Sequence, residues 1–542
     1  MRLSLLVGLL AAGCGGSSGG FAGGGLSGIS GGGGAGGGVD GGGAVAGTGA
    51  GVVTGSRVFS GAAATMLYQG PSCTDDVAAT GERWCAFIAF SDSTSDARSL
   101  FVVNVSRVVA GVDVTCAAPD PNCLLLTASL GGDSLSPTLH GTYFQGDTLV
   151  YYDQSLAAYA WRPGMTRGRL LAAPAAGENV VLCTPAKTGT AVMCLLLPRT
   201  QPELNVSHAD LLIGKADAVS EPSLSVADAV ITSTAGDIGG PRFSFGFPPG
   251  ADDYVAWTSR QDATGPETLK LQKAGDPASK VTVAADAHAW HVSPDGTRWF
   301  WLSAVDRTGV GTLHTAPFPS GANPTPVRVD VVEYGILPRD GQTVVALTSL
   351  GALVAIAQPA TGTTELVLDT QVRTLLDFSA AGHVAYAKRR VGTNSGDLFV
   401  KKADGTETCV VEPTGRVPFR SVSFVPNAGA VMWARSTTDG FDGHYTRLRD
   451  CTTVTIAADV VVLASVGHDI VVFMDAFDDA TGAGSLRTLD VGNGNTLSAG
   501  TPALVADDVD SYTIVAPVPG ALLYTVNAGG DNDGVYVRGF GP

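Results

Sequence analysis

The stretch HAWHVSPDGTRWFWLSAVDRTGVGTLHTAPF, residues 288–318, constrains this chain more than any other feature, because its layout returns. It reads as a strand, a Ser293-Pro294-Asp295-Gly296 turn, a strongly apolar strand, a polar hairpin and a third strand. FSFGFPPGADDYVAWTSRQDATGPETLKLQ and YGILPRDGQTVVALTSLGALVAIA repeat the order, with turns at Pro248-Pro249-Gly250 and Pro338-Arg339-Asp340-Gly341. VSFVPNAGAVMWARSTTDGFDGHYTRLR and YTIVAPVPGALLYTVNAGGDNDGVYVRGF do so again. A period of roughly 40–50 residues made of short strands is that of propeller blades. Pro presets φ at the first corner of each turn, and Asp or Asn followed by Gly tolerates the positive φ that reverses the chain. The strand after the turn is apolar at every position because it is packed between two neighbours, whereas the third strand alternates, as in Leu269/Leu271 and Tyr536/Arg538.

The pattern therefore predicts an all-β chain forming a single β-propeller of four-stranded blades over 56–542, with about eight blades and a range of seven to ten. No long amphipathic helix is expected. A strand near Val58 or Met66 would complete the final blade at 511–542 and close the ring, which suppresses exposed sheet edges.

The N-terminus is a different text. Met1-Arg2 is followed by an apolar run from Leu3 to Ala12 and then by Gly13 and Cys14, the layout of an export signal over 1–13. Small residues placed directly before a cysteine resemble a bacterial lipobox, although Ala11 stands where that motif usually carries Leu. The resemblance implies cleavage before Cys14 and lipid attachment to it. Gly15 is not the Asp associated with inner-membrane retention, so a lipid-anchored, outer-membrane place in the cell envelope is expected. Between Gly15 and Gly55, 22 of 41 residues are Gly. Such a segment cannot bury enough apolar surface to order itself, so 14–55 reads as a lipidated cysteine followed by a disordered Gly-rich linker.

The nine cysteines fit export. Setting Cys14 aside leaves Cys73, Cys85, Cys116, Cys123, Cys183, Cys194, Cys409 and Cys451, an even set suited to an oxidising compartment. Cys183 and Cys194 would stand opposite each other in a hairpin turning between Thr188 and Gly189. Cys73–Cys85 and Cys116–Cys123 would close short loops. Cys409 and Cys451 are far apart in sequence and are left as a pair of candidates on different sheets.

The turns and their flanks resemble the TolB-type, WD40-like propeller repeat, whose mark is the SPDG turn followed by an apolar strand. Only Ser293–Gly296 matches it in full. The resemblance implies a propeller lipoprotein of bacteria and leaves the activity open. A single quinoprotein-like stretch around Ala360-Thr361-Gly362 is read as one more blade.

Chemistry is hard to find. The folded region has no G-x-S-x-G and no H-E-x-x-H, so no catalytic residue, metal ligand or cofactor is assigned. His288 and His291 lie on opposite faces if their strand is regular, and a zinc site needs three or four convergent ligands. Asp531-Asn532-Asp533-Gly534 and the group Asp475, Asp478 and Asp479 resemble pieces of calcium loops but lack the full ligand set, and such turns serve any hairpin. Tyr151, Tyr152, Trp161, Trp299 and Trp301 would fill the core between blades or line a binding surface. A net charge of −17 argues against nucleic acid and against anionic lipid surfaces. The reading that remains is an envelope-anchored propeller that binds a protein partner as a scaffold. A carbohydrate-binding protein or a glycan lyase or hydrolase working at the channel mouth is the alternative, and an acidic adhesion or decoy module a third reading.

Overall fold

The computed structural model describes residues 54–61, 63–64, 73–74, 82–90, 98–131, 142–198, 206–234, 244–249, 251, 253–260, 266–338, 341–357, 364–388, 394–419, 421–425, 429–438, 440–460, 462–465, 470–478, 483–491, 501–510, 516–518, 520–526, 531 and 533–540. The signal, Cys14 and nearly all of the linker lie outside them, as do Met66, Asp340, Ala360–Gly362, Asp479 and Asn532.

Among the described residues nine antiparallel sheets follow one another, eight of four strands and one of seven. The seven-stranded one divides into two four-stranded units that share a strand, giving ten units in all. They occupy residues 63–127, 143–172, 178–234, 245–284, 288–331, 331–369, 372–418, 422–457 and 462–510, and the tenth joins 516–539 to Ser56–Ser60. We call them blades 1 to 10 and number the strands of each from the channel outward. Blades 5 and 6 share one long strand, Thr325–Ile336, which is fourth in blade 5 and first in blade 6, with Val331 paired on both sides.

That the blades close into a ring is read from the core. It divides into ten apolar clusters, and each is built from two successive blades, including one that joins blade 10 to blade 1. The second strand of every blade explains this. In Arg298–Ser303 of blade 5, Trp299 and Trp301 pack toward blade 4, while Phe300 and Leu302 pack toward blade 6. In Ile470–Asp478 of blade 9, Val471 and Phe473 face blade 8, and Val472 and Met474 face blade 10. A period of two divides one apolar run between two interfaces.

Ten blades replace the expected eight, at the top of the anticipated range. Two facts hid the number. The shared strand Thr325–Ile336 makes two blades from a stretch with one fewer strand, and residues 63–234, which hold none of the repeat copies set out above, contain three whole blades.

The seam is closed by the strand expected near Val58. Ser56–Ser60 pairs antiparallel with Gly534–Gly539 as the outermost strand of blade 10. Thr54 donates to Val505 O from its amide at 3.1 Å and its hydroxyl at 2.8 Å, and Arg538 Nη1 donates to Thr54 Oγ1 at 2.8 Å. Among the described residues the helix is a single five-residue one, Val105–Val109, in blade 1, and no helix is long and apolar enough to cross a membrane. The loop after that helix returns to the seam, where Cys116 N donates to Val58 O at 3.0 Å.

Candidate functional site

All four cysteine pairs are disulfides: Cys73–Cys85, Cys116–Cys123, Cys183–Cys194 and Cys409–Cys451. Cys183 is not directly opposite Cys194. Val181 pairs with Leu195 and Thr184 with Met193, so Leu182 and Cys183 together face Cys194 across a bulge in which Leu182 takes φ 50°. The two Cα atoms still stand 4.0 Å apart. Cys409, in the outer strand of blade 7, reaches Cys451 in blade 8 and ties two successive blades together.

The repeat turn is a polar knot. Ser293 is fully buried, and its Oγ accepts from Thr297 N at 3.2 Å and Arg298 N at 2.9 Å while donating to Asp295 Oδ1. Asp295 Oδ1 also accepts from the Thr297 amide and hydroxyl. Partial burial works against the charge, yet these bonds hold the Asp295 carboxyl below the usual carboxylate range. The same Asp-x-Ser/Thr arrangement recurs at Asp153/Ser155, Asp306/Thr308 and Asp404/Thr406, where Oδ1 takes both the amide and the hydroxyl two residues on.

The calcium-like turns have other uses. The guanidinium of Arg57, in the closing strand, donates to the carbonyls of Asp531 and Asp533 at 2.8 Å each, so that turn clasps the seam. Asp475 pairs with Arg487 at 2.7 Å on the neighbouring strand. No group of three His, Cys, Asp or Glu able to hold a metal occurs among the described residues. His288 and His291 do not converge. A register shift between them, with Ala289 at φ 45°, breaks the regular alternation. His288 lies against Glu267 and Asp286, while His291 packs edge-on against Tyr334 at 5.0 Å.

Tyr151, Tyr152, Trp161, Trp299 and Trp301 are all buried between blades and form no surface platform. Tyr151 and Trp301 belong to a signature that the linear pattern did not reveal. In six blades an aromatic on the second strand stacks on the residue directly opposite it on the third: Phe87/Phe101, Tyr151/Tyr159, Trp301/His314, Tyr386/Phe399, Trp433/His444 and Tyr524/Tyr536. In blades 4 and 9 the opposed residue is a cation, Lys270 against Trp257 and Arg487 against Phe473. Each of these eight second-strand aromatics faces the preceding blade.

Around the channel, side chains of one innermost strand bond to the next. Trp290 Nε1 donates to Ser244 Oγ at 2.9 Å just before blade 4's inner strand, with its ring over Gly246, where a Cβ would meet it at 3.1 Å. Tyr334 OH of blade 6 donates to Ala289 O of blade 5. Glu333 of blade 6 accepts from Leu375 N and Thr374 Oγ1 of blade 7, both at 3.1 Å. Asp377 of blade 7 accepts from Phe424 N of blade 8 at 2.8 Å. Burial pushes both carboxyls above their ordinary range. Blades 4 to 8 therefore form a stitched wall.

The outer rim is different. Five consecutive blades each expose a large apolar side chain on the outermost strand: Val226, Val281, Val329, the Leu366–Val367 pair and Val410, of which Val329 is 66% exposed. Pairing between the third and fourth strands contains a register shift in all ten blades. Bulged, twisted edges resist the addition of a further strand. What this rim offers a partner is side chains.

No protein-family model matches the chain, and no curated protein sequence does. Among solved structures it is similar to a eukaryotic initiation factor, at 10% identity and a TM-score of 0.47, covering 77% of this chain and 96% of that one. It is also similar to an oligogalacturonate lyase from Vibrio parahaemolyticus, at 10% identity and 0.34, covering 74% and 92%. A protein designated TolB from Agrobacterium tumefaciens follows at 14% identity and 0.27, covering 58% and 95%. The propeller assignment rests on the ten blades of this chain and the apolar clusters between them.

Proposed function

We propose that this chain is an envelope-tethered binding protein whose propeller docks a protein partner along the rim of blades 3 to 7. The observation that carries the reading is the arc of Val226, Val281, Val329, Leu366, Val367 and Val410, exposed on five successive outer strands. Contiguous exposed apolar surface marks contact sites, and these side chains stand on the same strand of neighbouring blades. The stitched inner wall supports the same reading, since a rigid ring presents its rim without a cost of ordering. A strongly acidic chain is a poor ligand for an anionic bilayer, so the arc suits an apolar protein face better than lipid. Membrane attachment would come from Cys14. Among the described residues Tyr151, Tyr152, Trp161, Trp299 and Trp301 are buried between blades, which gives the carbohydrate reading no support.

The test is a cross-linked pull-down of the native chain from its own membranes, beside Cys14→Ser and a triple rim variant, Val281→Lys, Val329→Lys and Val367→Lys. One near-stoichiometric envelope partner is expected, reduced without the tether and lost from the folded rim variant, which stays membrane-bound. Absence of any such partner, or its retention by the rim variant, overturns the proposal.

A further inference from the structure

Where blade 4 meets blade 5, four charged side chains from different segments form a row. Arg260 lies at the end of the second strand of blade 4, and Glu267 just before its third strand. Asp286 lies in the connection to blade 5, and His288 begins that blade's innermost strand. Arg260 Nη2 lies 3.2 Å from Glu267 Oε1, Glu267 Oε2 lies 3.2 Å from His288 Nδ1, and His288 Nε2 lies 3.1 Å from Asp286 Oδ1. The other Asp286 oxygen accepts the Ala304 amide at 2.7 Å, at the end of blade 5's second strand, and the Ala287 amide donates to Glu267 O at 2.9 Å. In antiparallel blades these segments all emerge on one face of the ring.

Both ring nitrogens of His288 thus face carboxylate oxygens. A neutral imidazole has one N–H and would aim its lone pair at the second carboxylate; only the imidazolium donates to both. With the ring protonated, two cations alternate with two carboxylates. Without the proton, the row keeps one cation, Arg260, beside Glu267, which is 5% exposed. The remaining titratable neighbour is His314 of blade 5's third strand, held below its ordinary value by burial and facing Asp286.

We propose that His288 is a pH-operated latch joining the loops of blades 4 and 5. Protonated, it clamps Glu267 to Asp286; on deprotonation it frees Asp286, and with it the end of blade 5's second strand. Burial pulls the His288 pKa down, but Glu267 and Asp286 outweigh it and raise it above the ordinary histidine value. A raised folded-state value means that the latch is fully closed below about 6.5, the unfolded value, and opens as pH rises through the folded one.

The test is hydrogen exchange of the Ala304 amide in the full chain between pH 5.5 and 9, corrected for intrinsic rates, together with the NMR titration of His288. The expected result is a His288 midpoint above 6.5 and protection of Ala304 that falls as the pH passes that midpoint. His288→Gln should show weak, pH-independent protection, and His291→Gln the wild-type profile. A His288 midpoint at or below 6.5 in the unsubstituted protein overturns the proposal, and so does Ala304 protection that is flat with pH.

Discussion

Two inner-strand carboxylates show how a polar side chain can serve the fold and still cost it stability. Glu333 and Asp377 each accept amides of the next blade, yet burial keeps both pKa values raised. A raised carboxyl pKa favours the folded state in acid, and that contribution is lost as pH rises through the folded value. Glu333→Gln keeps an oxygen for Leu375 N and removes the charge. Its melting temperature relative to the parent should be highest at neutral pH, with the difference shrinking on acidification. A difference that grows in acid would contradict this. Asp295 has the opposite sign, because its turn bonds lower its pKa. Asp295→Ala should cost about 0.5–1.5 kcal/mol in chemical denaturation at pH 7, since water screens bonds in an exposed turn, and the loss should narrow as the parent's carboxyl protonates.

At the scale of the element, the second strand carries the architecture. Its apolar run was legible because both faces are buried, and the Pro/Asp/Gly turns were legible because they demand special φ. The aromatic pairs were not legible, since their partners lie on the far side of hairpins of varying length and are matched by register rather than by spacing. A double-mutant cycle on Tyr386 and Phe399, each changed to Leu, should return a coupling of about 0.5–1.5 kcal/mol, the range for aromatic pairs. Additivity would mean that the stack is incidental. The carboxylate partners of His288 were hidden for a similar reason. Glu267 lies 21 positions before it and approaches only when blades 4 and 5 pack.

For the whole molecule, the ring depends on ten interfaces of similar make, and two long-range ties hold it besides. Cys409–Cys451 joins blades 7 and 8, and changing both residues to Ser should lower stability by about 2–4 kcal/mol, read from denaturant midpoints. The sequence pattern foretold a propeller but not its size, because a strand shared by two blades leaves no turn to count. The second tie is the seam, where Ser56–Ser60 is the outermost strand of a blade whose other strands lie at 516–539. The most direct test of the closed ring is oxidative cross-linking of Ser56→Cys with Val537→Cys, which pair across that seam. With Cys14 also changed to Ser, the ring predicts a monomer without free thiols whose peptide map joins 56 to 537. Thiols that stay free, or that link one chain to another, would contradict the closed ring.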